Sequence, residues 1–134
     1  FLNSELARRF PDEPILIMRY GDHQPVSTRM LLGFDESLEA EDVELEADSV
    51  GFLTFFTVEG INYALPDLPS FDVVDVPYLG TILLQAARLP LSDAYRERVR
   101  LMSLCDGRYY SCPQRGEILR FHRRLIDSGL VEAR

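Results

Sequence analysis

An aspartate and a histidine stand side by side in "ILIMRYGDHQP", residues 15 to 25, directly after an apolar run and a glycine. A carboxylate and a neutral imidazole can each donate an electron pair to zinc or manganese. Neighbouring side chains on a sharp turn need not point to opposite faces, so Asp22 and His23 can reach one ion. Two ligands make half a site, and no other residue in the chain stands out to supply the remainder. The same pair suits acid/base or hydrogen-bonding work, and it suits a structural turn in which Asp22 caps backbone amides. On the residues alone all three readings stay open. Beside the pair, Gln24 could donate to an anionic oxygen and Arg29 could bind an anionic headgroup. Arg19 sits inside the apolar run, where pairing with an acid is expected. Ser27 and Thr28 read as turn hydroxyls.

Two further places carry reactive side chains. Cys105 and Cys112 lie in "CDGRYYSC" with six residues between them. That is not the CxxC spacing of a zinc knuckle or a redox pair, so the thiols make a poor metal site. A local disulfide around Gly107 would fit an oxidising compartment; two unrelated thiols in a turn fit the spacing equally. His122, in "RFHRRL", has Arg120, Arg123 and Arg124 marking the wet side of a helix, and is expected to be a partly buried structural histidine.

These residues need a scaffold, and 134 residues suffice for one domain that buries roughly two thirds of its potential surface. The formal net charge is -8, unevenly spread: residues 1 to 87 hold sixteen acids against four arginines, and residues 88 to 134 hold ten arginines against six acids. An acidic front half repels a phosphate backbone, and the tail lacks a dense basic block with interleaved aromatics, so nucleic acid is not an expected partner. The apolar runs fall far short of the roughly 20 residues needed to span a bilayer, and the piece itself is expected to be soluble. Because the chain opens Phe1-Leu2-Asn3-Ser4 and its strongest strand signal follows soon after, it is expected to be one excised domain fragment with partner elements upstream.

The periodicities predict which elements do the positioning. Residues 2 to 10 form a helix with Leu2, Leu6 and Phe10 on one face and Asn3 or Ser4 as cap. "ILIMRY" is a strand, apolar at nearly every position, as where helices cover both faces of a parallel sheet. Gly21 ends it and Pro25 keeps the turn from continuing as sheet. The run of eight acids from Asp35 to Asp48 is a solvated loop or short helix, without the central glycine of a calcium loop. A second strand covers residues 52 to 58, and the prolines of "INYALPDLPSFDVVDVP" argue for an irregular crossing. Three helices follow: 77 to 88, with Leu79, Ile82, Leu83 and Ala86 inward; 92 to 104, capped by Ser92, with Tyr95, Val99 and Met102 inward; and 115 to 129, with Ile118, His122, Leu125 and Ile126 inward. The expected fold is α/β: a fragment of a helix-covered sheet, an α/β/α sandwich, in which helices 77 to 88 and 115 to 129 cover the sheet and residues 91 to 134 form a helical tail with the cysteine loop.

"ILIMRYGDHQP" resembles the Gly-Asp-His segment near the C-terminal end of the sulfatase and alkaline-phosphatase superfamily, most closely its membrane-anchored lipoteichoic-acid synthase-like and phosphoglycerol-transferase-like branch. "FFTVEGIN" resembles an outer-sheet strand and asparagine segment of such enzymes. "VPYLGTILLQAARLP" resembles the helix that follows their Asp-(Ile/Val)-x-Pro-like turn and ends in a Gly-Leu-Pro-like sequence; Asp75 and Pro77 to Leu79 follow that pattern in outline, although Arg88 stands where a glycine is common. The resemblance covers roughly residues 1 to 90. It implies a metal-dependent hydrolase or a phosphoglycerol- or phosphoethanolamine-type transferase acting on phosphate or sulfate esters, lipid- or glycan-linked substrates among them. By carry-over Asp22 and His23 ligate a divalent metal (Mn, Zn, Mg or Ca), and Gln24 and Arg29 lie where substrate oxygens would be bound. The nucleophile, the other acidic ligand and the substrate-binding histidine belong to the upstream half of the same chain, so these residues alone are expected to be inactive. The parent is implied to be membrane-anchored in the cell envelope, with an extracytoplasmic catalytic domain. A non-catalytic binding or structural α/β module, or a superfamily member that has lost catalysis, is the competing reading.

Overall fold

The computed structural model describes residues 1–22 and 53–132. Among them lie four α-helices, α1 (Leu2–Arg9), α2 (Leu79–Ala86), α3 (Asp93–Leu104) and α4 (Arg115–Asp127), and two strands, β1 (Ile15–Tyr20) and β2 (Phe56–Ile61). The strands pair antiparallel in a two-stranded sheet, so the chain is mixed α/β. Two compact units are formed, one from Phe1–Leu16 with Gly60–Arg134 and the other from Ile17–Glu59. Pro25, the segment from 26 to 34 and the acidic run from Asp35 to Asp48 lie outside the described residues.

β1 occupies the apolar run, but its setting differs from the one that run suggested. Its described neighbour is antiparallel, and Ile15 to Met18 are half-buried, with Arg19 and Tyr20 exposed. Among the described residues one strand pairs with it, and the apolar side chains of Ile15 to Met18 stay partly open to water. Arg19 pairs with Glu59 across the two strands, as its place inside an apolar run required.

β2 overlaps the expected 52 to 58 only from Phe56 onward and continues through Gly60 to Ile61. Here the glycine lies within the strand because the backbone folds back on it: a Cβ at Gly60 would stand 2.2 Å from the Tyr63 carbonyl oxygen. The reversal is made at Asn62, whose φ of 53° is left-handed, a region asparagine tolerates better than most residues. Its Nδ2 donates to the Phe10 carbonyl at 2.8 Å and to that of Glu13 at 3.3 Å, tying the end of β2 to the end of α1.

α1 starts two residues earlier than a cap at Asn3 would allow, and three earlier than one at Ser4. Phe1 is the N-cap, without a side-chain cap, and the Ser4 hydroxyl instead donates to the Phe1 carbonyl at 3.3 Å. Glu5 pairs with Arg8 and Arg9 along the helix. Leu6 is half-buried but Leu2 and Phe10 are exposed, so the expected apolar face is covered only at its centre.

Among the described residues, the buried side chains other than Ile61 of β2 lie in the helical part and its cysteine loop. Pro77 opens a 3-10 turn, Val76–Tyr78, that runs into α2, and Tyr78, Thr81, Ile82 and Ala86 are buried while Leu79 and Leu83 are half-buried. α2 ends in a Schellman turn: the Leu89 amide reaches the Leu84 carbonyl at 3.1 Å, and Arg88 takes a left-handed φ of 52°. α3 begins on Ser92, whose Oγ accepts from the Tyr95 amide, and buries Leu101 and Met102. α4 buries Ile118 and Phe121, with Leu125 half-buried one turn on. His122, expected on that apolar face, is exposed. At about 100° per residue, a helix turned to bury the large ring of Phe121 carries its neighbour away from the core.

Cys105 and Cys112 form a disulfide with Cα atoms 4.9 Å apart, which settles the choice left open by their spacing. The loop between them closes on Gly107, with φ of 76°, where a Cβ would meet the Val73 carbonyl oxygen at 2.4 Å. Asp75 holds the loop from the other side. Its carboxylate accepts from the amides of Tyr109 and Tyr110, the latter at 2.8 Å, and its own amide donates to the Gly107 carbonyl at 2.9 Å. The irregular crossing read from the prolines is therefore fixed at both ends, by Asn62 and by Asp75. No helix among the described residues is long and apolar enough to cross a membrane.

Candidate functional site

The strand-end turn is built by β1 and the residues that lead into β2. The Gly21 amide donates to the Phe55 carbonyl at 3.1 Å, and the Gly21 carbonyl accepts from the Thr54 hydroxyl at 2.8 Å. Thr54 also explains the glycine, since a Cβ at position 21 would sit 3.0 Å from the Thr54 Cβ. The turn is thus pinned on both backbone groups of Gly21. Asp22 follows it at the surface, exposed, two residues past the end of β1.

His23, Gln24 and Arg29 lie outside the described residues, as do Ser27 and Thr28. Among the described residues no three His, Cys, Asp or Glu side chains gather as a metal would need.

A second constellation, which the sequence did not single out, lies in the helical part. Tyr109, on the cysteine loop, has its hydroxyl joined to Nε2 of His122 on α4. Its ring meets Tyr78 edge-on at 5.3 Å between centroids and Tyr110 at 5.7 Å. Burial pushes the Tyr78 phenol up to about 12, and raises Tyr109 as well, while the nearby positive charge of Arg98 opposes both shifts. Arg98, on α3, lies over the rings of Tyr95 at 5.3 Å and Phe121 at 5.8 Å. Only the aromatic loop and the helix periodicities hinted at this cluster, because Tyr78, Arg98, Tyr109 and His122 come from four separate stretches of chain.

The outer faces of α3 and α4 are joined by ion pairs. Arg100 bridges Glu97 at 2.9 Å and Glu117 at 2.7 Å, and Arg124 reaches Glu97. The Arg100 guanidinium holds the Glu97 carboxyl below its ordinary range, against a smaller opposing effect of burial, and Arg124 adds to the lowering. Through Arg100 and Arg124 the network braces α3 against α4. No known family profile matches the chain, and neither a curated protein nor a solved structure matches it.

Proposed function

We propose that this chain is the C-terminal portion of a metal-dependent enzyme of the sulfatase and alkaline-phosphatase superfamily, closest to the lipoteichoic-acid synthase-like and phosphoglycerol-transferase-like branch. It acts on phosphate or sulfate esters as a hydrolase or transferase. The observation that carries the reading is the exposed Asp22 carboxylate on a turn pinned at Gly21, immediately beyond β1. Two backbone features support it. Arg88, at the position where the resembled enzymes commonly carry glycine, adopts a left-handed φ of 52°, the conformation a glycine would serve. Asn62, the asparagine of "FFTVEGIN", is likewise left-handed and ties β2 to α1.

In the whole enzyme β1 belongs to a larger sheet covered by helices on both faces, an α/β/α sandwich, and the half-buried apolar residues Ile15 to Met18 are the surface such a sheet would cover. A carboxylate oxygen from Asp22 and an imidazole nitrogen from His23 fit zinc or manganese better than calcium or magnesium, which favour oxygen donors alone. When bound, the ion supplies positive charge where negative charge grows on the transferred phosphoryl or sulfuryl group. Asp22 contributes a fixed negative ligand, His23 a neutral one, and Gln24 and Arg29 hydrogen bonds to ester oxygens. The Cys105–Cys112 disulfide agrees with an extracytoplasmic place for the catalytic domain of a membrane-anchored parent.

The test uses the full-length parent protein. Asp22→Ala and His23→Ala are each expected to lose bound metal, measured by elemental analysis, and to lose most turnover of a phosphodiester or sulfate ester. Unchanged metal content and turnover in both variants would remove the assignment and leave a non-catalytic α/β module as the reading.

A further inference from the structure

Cys105 and Cys112 share one bond but stand on unlike supports. Cys105 is the C-cap of α3: its amide donates to the Leu101 carbonyl at 2.9 Å, and its side chain is buried one turn beyond those of Leu101 and Met102. To bring its sulfur out, the last turn of α3 has to unwind from the packed helices. Cys112 lies in the short run that leads into α4. It is buried too, but Ser111 before it and Pro113 and Gln114 after it are exposed. Asp75 clamps the loop at the amides of Tyr109 and Tyr110, so the run from Ser111 to Gln114 can lift while the clamp stays closed.

The two sulfurs also differ in what would answer a negative charge on them. The Gln114 amide donates to Sγ of Cys112 at 3.3 Å, and a hydrogen bond to sulfur favours thiolate over thiol. Cys112 precedes the amide end of α4, where the aligned peptide dipoles are positive, and Glu117, the acid of that first turn, is already engaged by Arg100 and Arg120. Cys105 stands at the carbonyl end of α3, where the dipoles are negative, and an acid, Asp106, follows it in the chain. Access and charge select the same sulfur.

We propose that Cys112 is the exchange sulfur of this pair, the one that meets a disulfide donor when the bond is made, and that Cys105 resolves the intermediate. The Cys112 thiolate attacks one sulfur of the donor, R–S–S–R, giving a mixed disulfide on Cys112 and releasing R–S⁻. Cys105 then loses its proton to solvent, its sulfur attacks Sγ of Cys112, and the second R–S⁻ leaves. Two thiols are oxidised and one donor disulfide is reduced. The loop meanwhile is held by bonds that do not involve sulfur, from Asp75 and from the Gly107 amide to the Met102 carbonyl at 2.9 Å, which keeps Cys105 in reach of the intermediate. The inference does not depend on the metal assignment at Asp22.

The experiment reduces the full-length protein with dithiothreitol, removes the reductant without air, and applies a short pulse of limiting iodoacetamide. Tryptic cleavage after Arg108 separates the two cysteines, and mass spectrometry gives the share of label on each. Cys112 is expected to be labelled about tenfold faster than Cys105, because a larger thiolate share is partly offset by the lower nucleophilicity of a stabilised thiolate. In concentrated urea the preference should fall to about twofold or less, since hydrogen bond, helix ends and burial are gone. Single variants test the exchange step itself: with glutathione disulfide, Cys105→Ser should form its mixed disulfide about tenfold faster than Cys112→Ser. Label falling equally on both thiols or first on Cys105, or a preference as large in urea as in buffer, overturns the proposal. Should either serine variant fail to fold, the labelling of the unaltered reduced protein decides.

Discussion

The glycine turns at Gly21 and Gly107 are held by different means. At Gly21 two hydrogen bonds and one threonine contact fix the backbone, and the next side chain, Asp22, is handed to the surface. At Gly107 a disulfide, a carboxylate accepting two amides and a close approach to Val73 draw the loop inward, and the cysteines themselves are buried. The first turn presents a group; the second fills space. On the proposed function Asp22 meets a ligand and gains little from the core, so its loss is expected to cost function and spare the fold, whereas the opposite is expected around the cysteine loop.

Substitutions can break this contrast, beginning with the largest effect. Phe121→Ala empties the best-packed part of α4 and is expected to lower stability by about 3 to 5 kcal/mol, measured by urea unfolding. A loss below about 1 kcal/mol would mean that the helical interior is not where stability resides. Replacing both Cys105 and Cys112 with serine should cost about 2 to 3 kcal/mol, given the short loop they close, and reductant should reproduce the effect in the unaltered protein.

Tyr78→Phe sharpens the contrast in a different direction. The Tyr78 hydroxyl is buried without a hydrogen-bond partner, so its removal should leave stability at neutral pH unchanged or raise it by about 1 kcal/mol. The phenol ionises near 10 when unfolded and near 12 when folded, so its contribution is complete below pH 10 and is lost as pH rises toward 12. The phenylalanine variant should therefore unfold less steeply with alkali, and an unaltered alkaline limb would refute the burial argument. The smallest stability effect belongs to Asp22→Ala, expected within about 0.5 kcal/mol of the unaltered protein. A thermal shift as large as that of the disulfide variant would erase the distinction between the two turns.

The sequence made much of this legible, and the misreadings have physical causes. β1, α2, α3 and the Ser92 cap follow from apolar period, proline and a hydroxyl at the right place, all of them local signals. The end of β2 did not, because Gly60 marks a close backbone approach by Tyr63, a contact that no period encodes. The parallel setting inferred for β1 rested on an apolar run, and such a run reports burial demand without naming a partner strand. His122 was misplaced by one position on a helix whose orientation is set by the larger Phe121. Asp22 could be singled out in the sequence because its chemistry and its turn glycine are adjacent in the chain, whereas Tyr109 and His122 meet only through tertiary packing.

One detail of the cysteine loop governs how the protein would behave under protease. Arg108 lies inside the ring closed by Cys105 and Cys112, next to Tyr109. Trypsin cutting after Arg108 would leave two polypeptides joined by a single sulfur–sulfur link, with the Asp75 clamp still gripping the amides on the far side of the cut. On a gel run without reductant the nicked protein would migrate as one species, and reductant would divide it into the part that carries Arg98 and the part that carries His122.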